Sequence, residues 1–189
     1  MSDSDVIKQV LQGERDMFRL LVERYQHMIF RTCIGFVHNK EDADDLTQEV
    51  FIQAFQSLSG FKGNSNFSTW IYRIAVNASL NKVRRSAGAI ILQRIDSLLG
   101  TDKEHRLPAS DSENPEDLLI GEEHRKWVRS AIDQLPEKQR VAIVLRKYED
   151  LSQKQIAEIM NTSEGAVEAL IQRAKANLRK KLSPFWKKS

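Results

Sequence analysis

The chain has 189 residues, 41% hydrophobic and 29% charged, a soluble globular composition that fits one or two domains. Its single cysteine, Cys33, excludes an intramolecular disulfide framework and a zinc ribbon. No apolar run approaches the ~20 residues of a membrane span, and the acidic start Met1-Ser-Asp-Ser-Asp5 lacks the layout of a signal peptide, so a cytoplasmic protein is expected.

The 29 basic and 26 acidic side chains give only +3, but the charge is unevenly placed. Residues 1–85 carry 11 basic and 10 acidic groups, residues 86–122 carry 3 and 8, and residues 123–189 carry 15 and 8. The last third is the electropositive part, which suits a polyanionic partner.

Residues 4–85 read as helix, with Val6, Val10, Phe18, Leu21, Tyr25, Ile29, Leu46, Val50, Ala54 and Leu58 mostly three or four apart. Breaks are expected at Gly13, around His38-Asn39-Lys40, and across Gly60–Asn66. Three or four packed helices follow, with Cys33 as a small buried thiol. Trp70, Ile71, Ile74, Ala75 and Ala78 form an apolar stripe, which makes Trp70 core rather than a stacking surface.

From 86 to 115 the chain turns polar, acidic and proline-punctuated, and reads as a flexible linker. Ile90, Ile91, Leu92, Ile95, Leu98 and Leu99 are out of character with that reading. They extend or cap the first core, or they form a separate partner-binding helix.

Helical periodicity returns at 116. Leu135-Pro136 marks a break before a new helix start. Ser152-Gln-Lys-Gln155 is a capping box, opening a short helix with Ile156, Ala157, Ile159 and Met160 inward. Asn161-Thr-Ser163 supplies a turn and a second N-cap before a helix from about Glu164 to Leu182. This is a helix-turn-helix. On its second helix, Val167, Leu170, Ile171, Ala174, Leu178 and Leu182 share one face. Gly165, Ala169, Gln172, Arg173, Ala176, Arg179 and Lys180 are left opposite. Small residues there permit close approach to a groove and long polar ones reach base edges, while Arg140, Arg146, Lys147, Lys154 and Lys175 suit phosphates. The fold class is therefore all-α: two small helical domains, 1–85 and 116–189, joined by a flexible acidic linker.

Two further stretches sharpen the reading: Glu41-Asp-Ala-Asp-Asp-Leu-Thr-Gln-Glu-Val-Phe51, and Phe67-Ser-Thr-Trp-Ile-Tyr-Arg-Ile-Ala-Val-Asn77 with Lys82, Arg84 and Arg85 behind it. With the helix-turn-helix in the right order after an acidic linker, the chain resembles the extracytoplasmic-function (group IV) sigma factors of bacterial RNA polymerase. The resemblance implies a sigma region 2 at 1–85 and a region 4 at 116–189. It implies that Asp45, Leu46, Gln48, Glu49 and Phe51 meet the clamp coiled coil of the polymerase β′ subunit. Lys62, Asn64, Ser65, Asn66 and Phe67, with Asn81, match the loop and helix position that capture a flipped base of the minus-ten element. Tyr72, Arg73, Asn77, Arg84 and Arg85 are placed to meet backbone or single strand. Arg146, Lys154, Gly165, Glu168, Ala169, Gln172, Arg173 and Lys175 are assigned to the minus-thirty-five duplex. Glu168 and Leu170 stand where the family usually carries basic residues, so a relative's promoter sequence does not transfer.

The implied partners are core polymerase (β′ clamp and β flap), promoter DNA both double-stranded and melted, and an anti-sigma factor, often membrane-anchored. The implied mechanism is melting by captured binding energy, at roughly 1–3 kcal/mol per stacked or captured base, without ATP chemistry. Without the resemblance, the acidic helix reads as a solvated amphipathic face and the loop as an ordinary connection. The competing function is a free-standing helix-turn-helix regulator binding palindromic DNA as a dimer. No phosphate-binding glycine loop, metal-ligand spacing or nucleophile elbow is present, and His27, His38, His105 and His124 are scattered. No catalysis, cofactor, metal or small-molecule substrate is expected.

Overall fold

The computed structural model describes residues 1–98 and 115–186, with the side chains of 87, 89–122 and 184–189 left aside. Among the described residues there are helices and no strands.

Ser2 and Asp5 form a capping box at the start of α1 (Asp3–Leu11): Asp5 N–H donates to Ser2 Oγ at 3.2 Å and Ser2 N–H to the Asp5 carboxylate at 2.9 Å. α1 ends before Gly13, whose φ of 114° suits a residue without a Cβ. A 3-10 turn at Arg15–Met17 leads into α2 (Phe18–Val37). His38, in the left-handed region at φ 58°, ends it, and Asn39 caps α3 (Lys40–Ser57) by accepting from Asp42 N–H at 2.9 Å. After a 3-10 turn at Leu58–Gly60, the loop through Gly63 reaches α4 (Phe67–Leu98). All three expected breaks occur where turn chemistry places them.

α1 to α4 enclose a core of Val6, Leu21, Ile29, Cys33, Ala43, Leu46, Val50, Ala54, Leu58, Phe67, Ile71 and Ala75, all at most 2% exposed. Burying each large aliphatic or aromatic side chain is worth about 1.5–3 kcal/mol. Asp3 accepts from Arg24 and from the Tyr25 hydroxyl, which fastens α1 to α2.

The boundary expected at 85 does not interrupt the backbone: α4 continues as helix to Leu98. The run after Ser86 contains good helix formers, and the one glycine, Gly88, costs a helix interior only about 1 kcal/mol. The expectation for Ile90, Ile91, Leu92, Ile95, Leu98 and Leu99 concerns side chains outside the described set, and 99–114 lie outside it altogether.

α5 (Pro115–Asp133) opens on proline, which is suited to the first helical position. α6 (Glu137–Tyr148), α7 (Gln153–Met160) and α8 (Glu164–Trp186) complete the second half. Its core is Leu135, Ala142, Val144, Leu145, Ile156, Val167, Ile171 and Ala174. The same cluster takes in Phe36 of α2 and Tyr72, Val76 and Leu80 of α4. The two halves therefore share an apolar seam, an arrangement that periodicity alone does not foresee.

Candidate nucleic-acid and polymerase interfaces

On α3, Asp45, Gln48 and Glu49 are exposed, whereas Leu46 and Phe51 are 2% and 7% exposed and belong to the core. The expectation that Leu46 and Phe51 touch a partner is corrected by geometry. At 100° per residue they fall on the face turned to α2 and α4. The apolar group that does stand among the exposed acids is Ile52, 57% exposed, with Phe55 at 37% one turn further on. An exposed isoleucine at i+3 and i+4 from Glu49 and Gln48 was a signal the sequence carried. Lys82 of α4 reaches Asp42 at 2.8 Å, and that carboxylate holds the ammonium above the usual lysine range.

The loop before α4 leaves Lys62, Asn64 and Asn66 exposed and Ser65 half-buried, with Gly63 at φ 71° turning the chain. Phe67 is not part of that surface. It is 2% exposed, packed at ring distances of 5.4 Å from Tyr25, 5.9 Å from Phe61 and 5.5 Å from Trp70. Trp70 is half-buried in the same aromatic group, as its stripe implies. Phe67 acts from beneath the loop, fixing where it leaves the bundle.

Along α4, Asn77, Asn81 and Arg85 are exposed. Tyr72 is not open to solvent partners as expected, and Arg73 is half-buried with its guanidinium already engaged. Tyr72 is 4% exposed in the shared seam, and its hydroxyl donates to Glu149 Oε2 at 2.9 Å. Burial and the neighbouring carboxylate push the phenol far above its ordinary range. Arg73 donates to the Glu158 carbonyl at 2.6 Å and the Ile159 carbonyl at 3.3 Å, in the last turn of α7 where carbonyls lack helical partners. Arg84 pairs with Glu137.

Glu149 is the hub of these contacts. Its side chain is 1% exposed, and Arg31 of α2 donates to both its oxygens at 3.1 Å. That bidentate pair raises the guanidinium pKa further. His38 lies 3.2 Å from Asp133 on the rim. Neither Arg31 nor Glu149 carries a local sequence signal, because their pairing spans 118 positions.

The helix-turn-helix forms as its sequence dictates. Ser152 Oγ accepts from Gln155 N–H at 3.2 Å while Gln155 Oε1 accepts from Ser152 N–H at 2.9 Å. Asn161 takes the left-handed region at φ 51°, and Ser163 Oγ accepts from Ala166 N–H at 3.2 Å. Val167, Ile171 and Ala174 face inward, and Gly165, Glu168, Ala169, Gln172, Arg173, Lys175 and Ala176 are exposed. Leu170 is half-buried against the second core, so its position is a packing one. Lys154 is exposed. Of the arginines expected at phosphates, Arg140 is turned inward, while Arg146 stays exposed and also braces a turn. Arg140 is 8% exposed and donates to the Asp133 carbonyl. Arg146 donates to the Leu151 carbonyl at 2.8 Å, bracing the turn in which Asp150 has φ 51°.

Between the 61–67 loop and the α7–α8 turn lies a cleft of about 1060 Å³, lined among others by Asn64, Ser65, Asn66, Lys154, Asn161 and Glu164. Among the described residues no group of three His, Cys, Asp or Glu side chains could hold a metal ion, and no helix is long and apolar enough to cross a membrane.

The described residues form a two-part helical protein, with a helix-turn-helix that presents an exposed basic and polar face behind a bundle that presents exposed acids. Residues 21–88 match the model of Sigma-70 region 2, and residues 125–178 that of Sigma-70 region 4. The chain is 36% identical over 187 residues to the RNA polymerase sigma-H factor of Pseudomonas aeruginosa, covering 97% of this chain and 95% of that one. It is 35% identical over 185 residues to the ECF RNA polymerase sigma-E factor of Escherichia coli, covering 98% and 96%. The chain belongs to the sigma-70 family of RNA polymerase sigma factors, in its extracytoplasmic-function group. The fold agrees: a structure of CnrH in complex with the cytosolic domain of CnrY aligns at TM-score 0.64 and 24% identity, over 96% of this chain and 97% of that one. The Bartonella quintana sigma factor RpoE, solved with the anti-sigma factor NepR, aligns at TM-score 0.57 and 20% identity, over 88% and 96%. A sigma factor directs RNA polymerase to promoters and is not an enzyme.

Proposed function

We propose that this sigma factor divides its work between the two halves: α1 to α4 dock on core polymerase and open the minus-ten element, and α5 to α8 read the minus-thirty-five duplex. The observation that carries this is the pair of exposed surfaces of different chemistry. α3 presents carboxylates and Gln48 around Ile52, which suits a basic and polar coiled coil with an apolar contact at its centre. α8 presents Arg173, Lys175 and Gln172 beside Ala169 and Ala176, which suits a major groove and its phosphates.

The loop residues Lys62, Asn64, Ser65 and Asn66, with Asn81, hold an unstacked base by polar contacts to its Watson–Crick edge. Asn77, Arg84 and Arg85 track the backbone beside it. Binding both elements from one polymerase-bound chain raises affinity through effective concentration, so neither half needs to hold DNA tightly alone. The chain works in the cytoplasm with polymerase, and an anti-sigma factor holds it there in reserve by covering its polymerase-binding faces. The RpoE structure, described with the anti-sigma factor NepR, supports such a partner.

The test is transcription in vitro from genomic DNA by core polymerase with and without the purified chain, with the 5′ ends of the transcripts sequenced. Starts clustered downstream of a shared two-block sequence are expected. The absence of any start-site selection rejects the proposal.

A further inference from the structure

Of the basic residues of α4 between Phe67 and Ser86, three are accounted for: Arg73 meets the end of α7, Arg84 meets Glu137, and Arg85 is exposed. The fourth, Lys82, turns to α3, where its ammonium lies 2.8 Å from the Asp42 carboxylate. Asp42, Asp45, Glu49 and Ile52 follow one another at spacings of three, four and three, so they form one stripe along α3. Lys82 stands at the N-terminal end of that stripe, and Asp45 and Glu49 also attract its charge.

We propose that Lys82 is an affinity-setting residue: a resident cation that occupies part of the acidic docking stripe of α3 and slows capture of core polymerase. The inference rests on the proposed reading of α3 as the polymerase face, and it names a residue that acts on that face from a neighbouring helix.

Magnitudes decide between this role and a brace between helices. The two side chains are 40% and 44% exposed, and an ion pair so open to water adds little to stability. The contact of α3 with α4 is held instead by the core, through Leu46, Val50, Ile71 and Ala75. What Lys82 changes is the field that an arriving partner meets. Asp42, Asp45 and Glu49 contribute three negative charges and Lys82 returns one, leaving two. A basic coiled coil must displace or skirt the ammonium to reach Asp42. At physiological salt charges act across about 8 Å, so the effect is local to this end of the stripe. Charges of this kind govern the rate of encounter and its salt dependence more than the lifetime of the complex. Docking then depends more on the apolar contact at Ile52, which stray basic surfaces do not match.

Association and dissociation of the full-length chain on immobilised core polymerase are followed at about 0.05 M and about 0.5 M salt for the parent, Lys82→Met, Lys82→Arg and Lys82→Glu. Lys8→Met, at an exposed position on α1, makes the same change of net charge elsewhere. At low salt, Lys82→Met should associate about threefold faster than the parent and Lys82→Glu about tenfold faster, with dissociation nearly unchanged and the differences closing at high salt. Lys82→Arg and Lys8→Met should keep the parental rate. Circular dichroism checks that each chain is folded. If Lys82→Glu is not, because it faces Asp42, Lys82→Met carries the test.

A parental or slower rate for folded Lys82→Met overturns the proposal, the slower rate making Lys82 a polymerase contact in its own right. An equal gain in Lys8→Met or in Lys82→Arg overturns it too. Transcription from genomic DNA separates this failure from that of the function. Specific starts from the parent, with Lys82→Met binding at the parental rate, reject the role of Lys82 and leave the function standing. Faster capture by Lys82→Met without any specific start from the parent supports that role and rejects the division of work. A parent that does not bind core polymerase rejects both.

Discussion

Gly35 of α2 lies directly against Val144 of α6: a Cβ at position 35 would sit 2.7 Å from Val144 Cγ1 and 3.0 Å from Tyr148 Cδ2. Glycine in a helix interior costs about 1 kcal/mol relative to alanine, so its place in α2 answers to the close approach of the second half.

Gly35→Ala accordingly has effects of opposite sign in two places. α2 gains up to about 1 kcal/mol of intrinsic helix stability, and the seam loses about 1–3 kcal/mol to overpacking. Native-state hydrogen exchange resolves the two: amides within α2 should exchange more slowly and those at the Tyr148–Leu151 turn faster. Faster exchange confined to the first half, with the Tyr148–Leu151 turn unchanged, would instead mean that Gly35 serves the first core alone.

The α3 surface separates contact from support. Asp45→Lys with Glu49→Lys should leave the melting temperature nearly unchanged, because both side chains are exposed and carry no packing. Affinity for core polymerase should fall at least tenfold. Ile52→Ala should also weaken binding without loss of stability. Leu46→Ala and Phe51→Ala should lose about 2–5 kcal/mol of stability, since each side chain is buried in the first core. Pull-down with core polymerase alongside thermal unfolding checks all of these. An Ile52→Ala chain with parental affinity would remove Ile52 from the interface.

Much of this architecture is legible in the sequence because it depends on local chemistry. The capping boxes at Ser2 and Ser152, the left-handed caps at His38 and Asn161, and the inward Val167, Ile171 and Ala174 all follow from spacings of three or four. Leu46, Phe51 and Phe67 were misplaced at the surface because a family motif marks a stretch, whereas helical phase decides which of its residues faces out. Tyr72, Arg73 and Arg140 were misjudged for a different reason. For Tyr72 and Arg73 the partners Glu149 and Glu158 lie 77 and 85 positions away, a long-range geometry that leaves no periodic trace, whereas Arg140 turns back to Asp133 across the short α5–α6 connection. The continuation of α4 past Arg85 shows a further limit, since an acidic, proline-bearing stretch further on made the whole run look irregular.

Stability should fall at alkaline pH through Cys33 and Tyr25. Burial lifts the Cys33 thiol from 9.0 to about 11, and burial with the Asp3 carboxylate lifts Tyr25 from 10.0 to about 12. In both the folded state favours the protonated, neutral form. Their contribution is complete below the unfolded values and is lost as pH rises from about 9 through 12. For the buried thiol this amounts to on the order of 2–3 kcal/mol. Urea unfolding at a series of pH values should show a falling midpoint across this window, flatter in Cys33→Ala. The thiol should resist alkylation at pH 8 until denaturant is added. Rapid native-state alkylation at that pH would mean the first core opens far more readily than its packing implies.

The outer face of α8 carries one residue at odds with a polyanionic ligand. Glu168 is exposed one turn from Gln172 and two turns from Lys175 on the same helix. A carboxylate here repels phosphate but can accept from the amino group of cytosine, which makes a base contact the role to test. Glu168→Ala should therefore relax selection at one upstream position, with non-specific duplex binding unchanged or stronger. Arg173→Ala should cost about 1–3 kcal/mol at the cognate upstream element, and Lys175→Ala should lower affinity for all duplexes alike, with a shallower salt dependence. Randomising the upstream block and sequencing the retained promoters with polymerase present checks the three together. Glu168→Ala leaving the preferred block unaltered would return that residue to a solvated, unreading role.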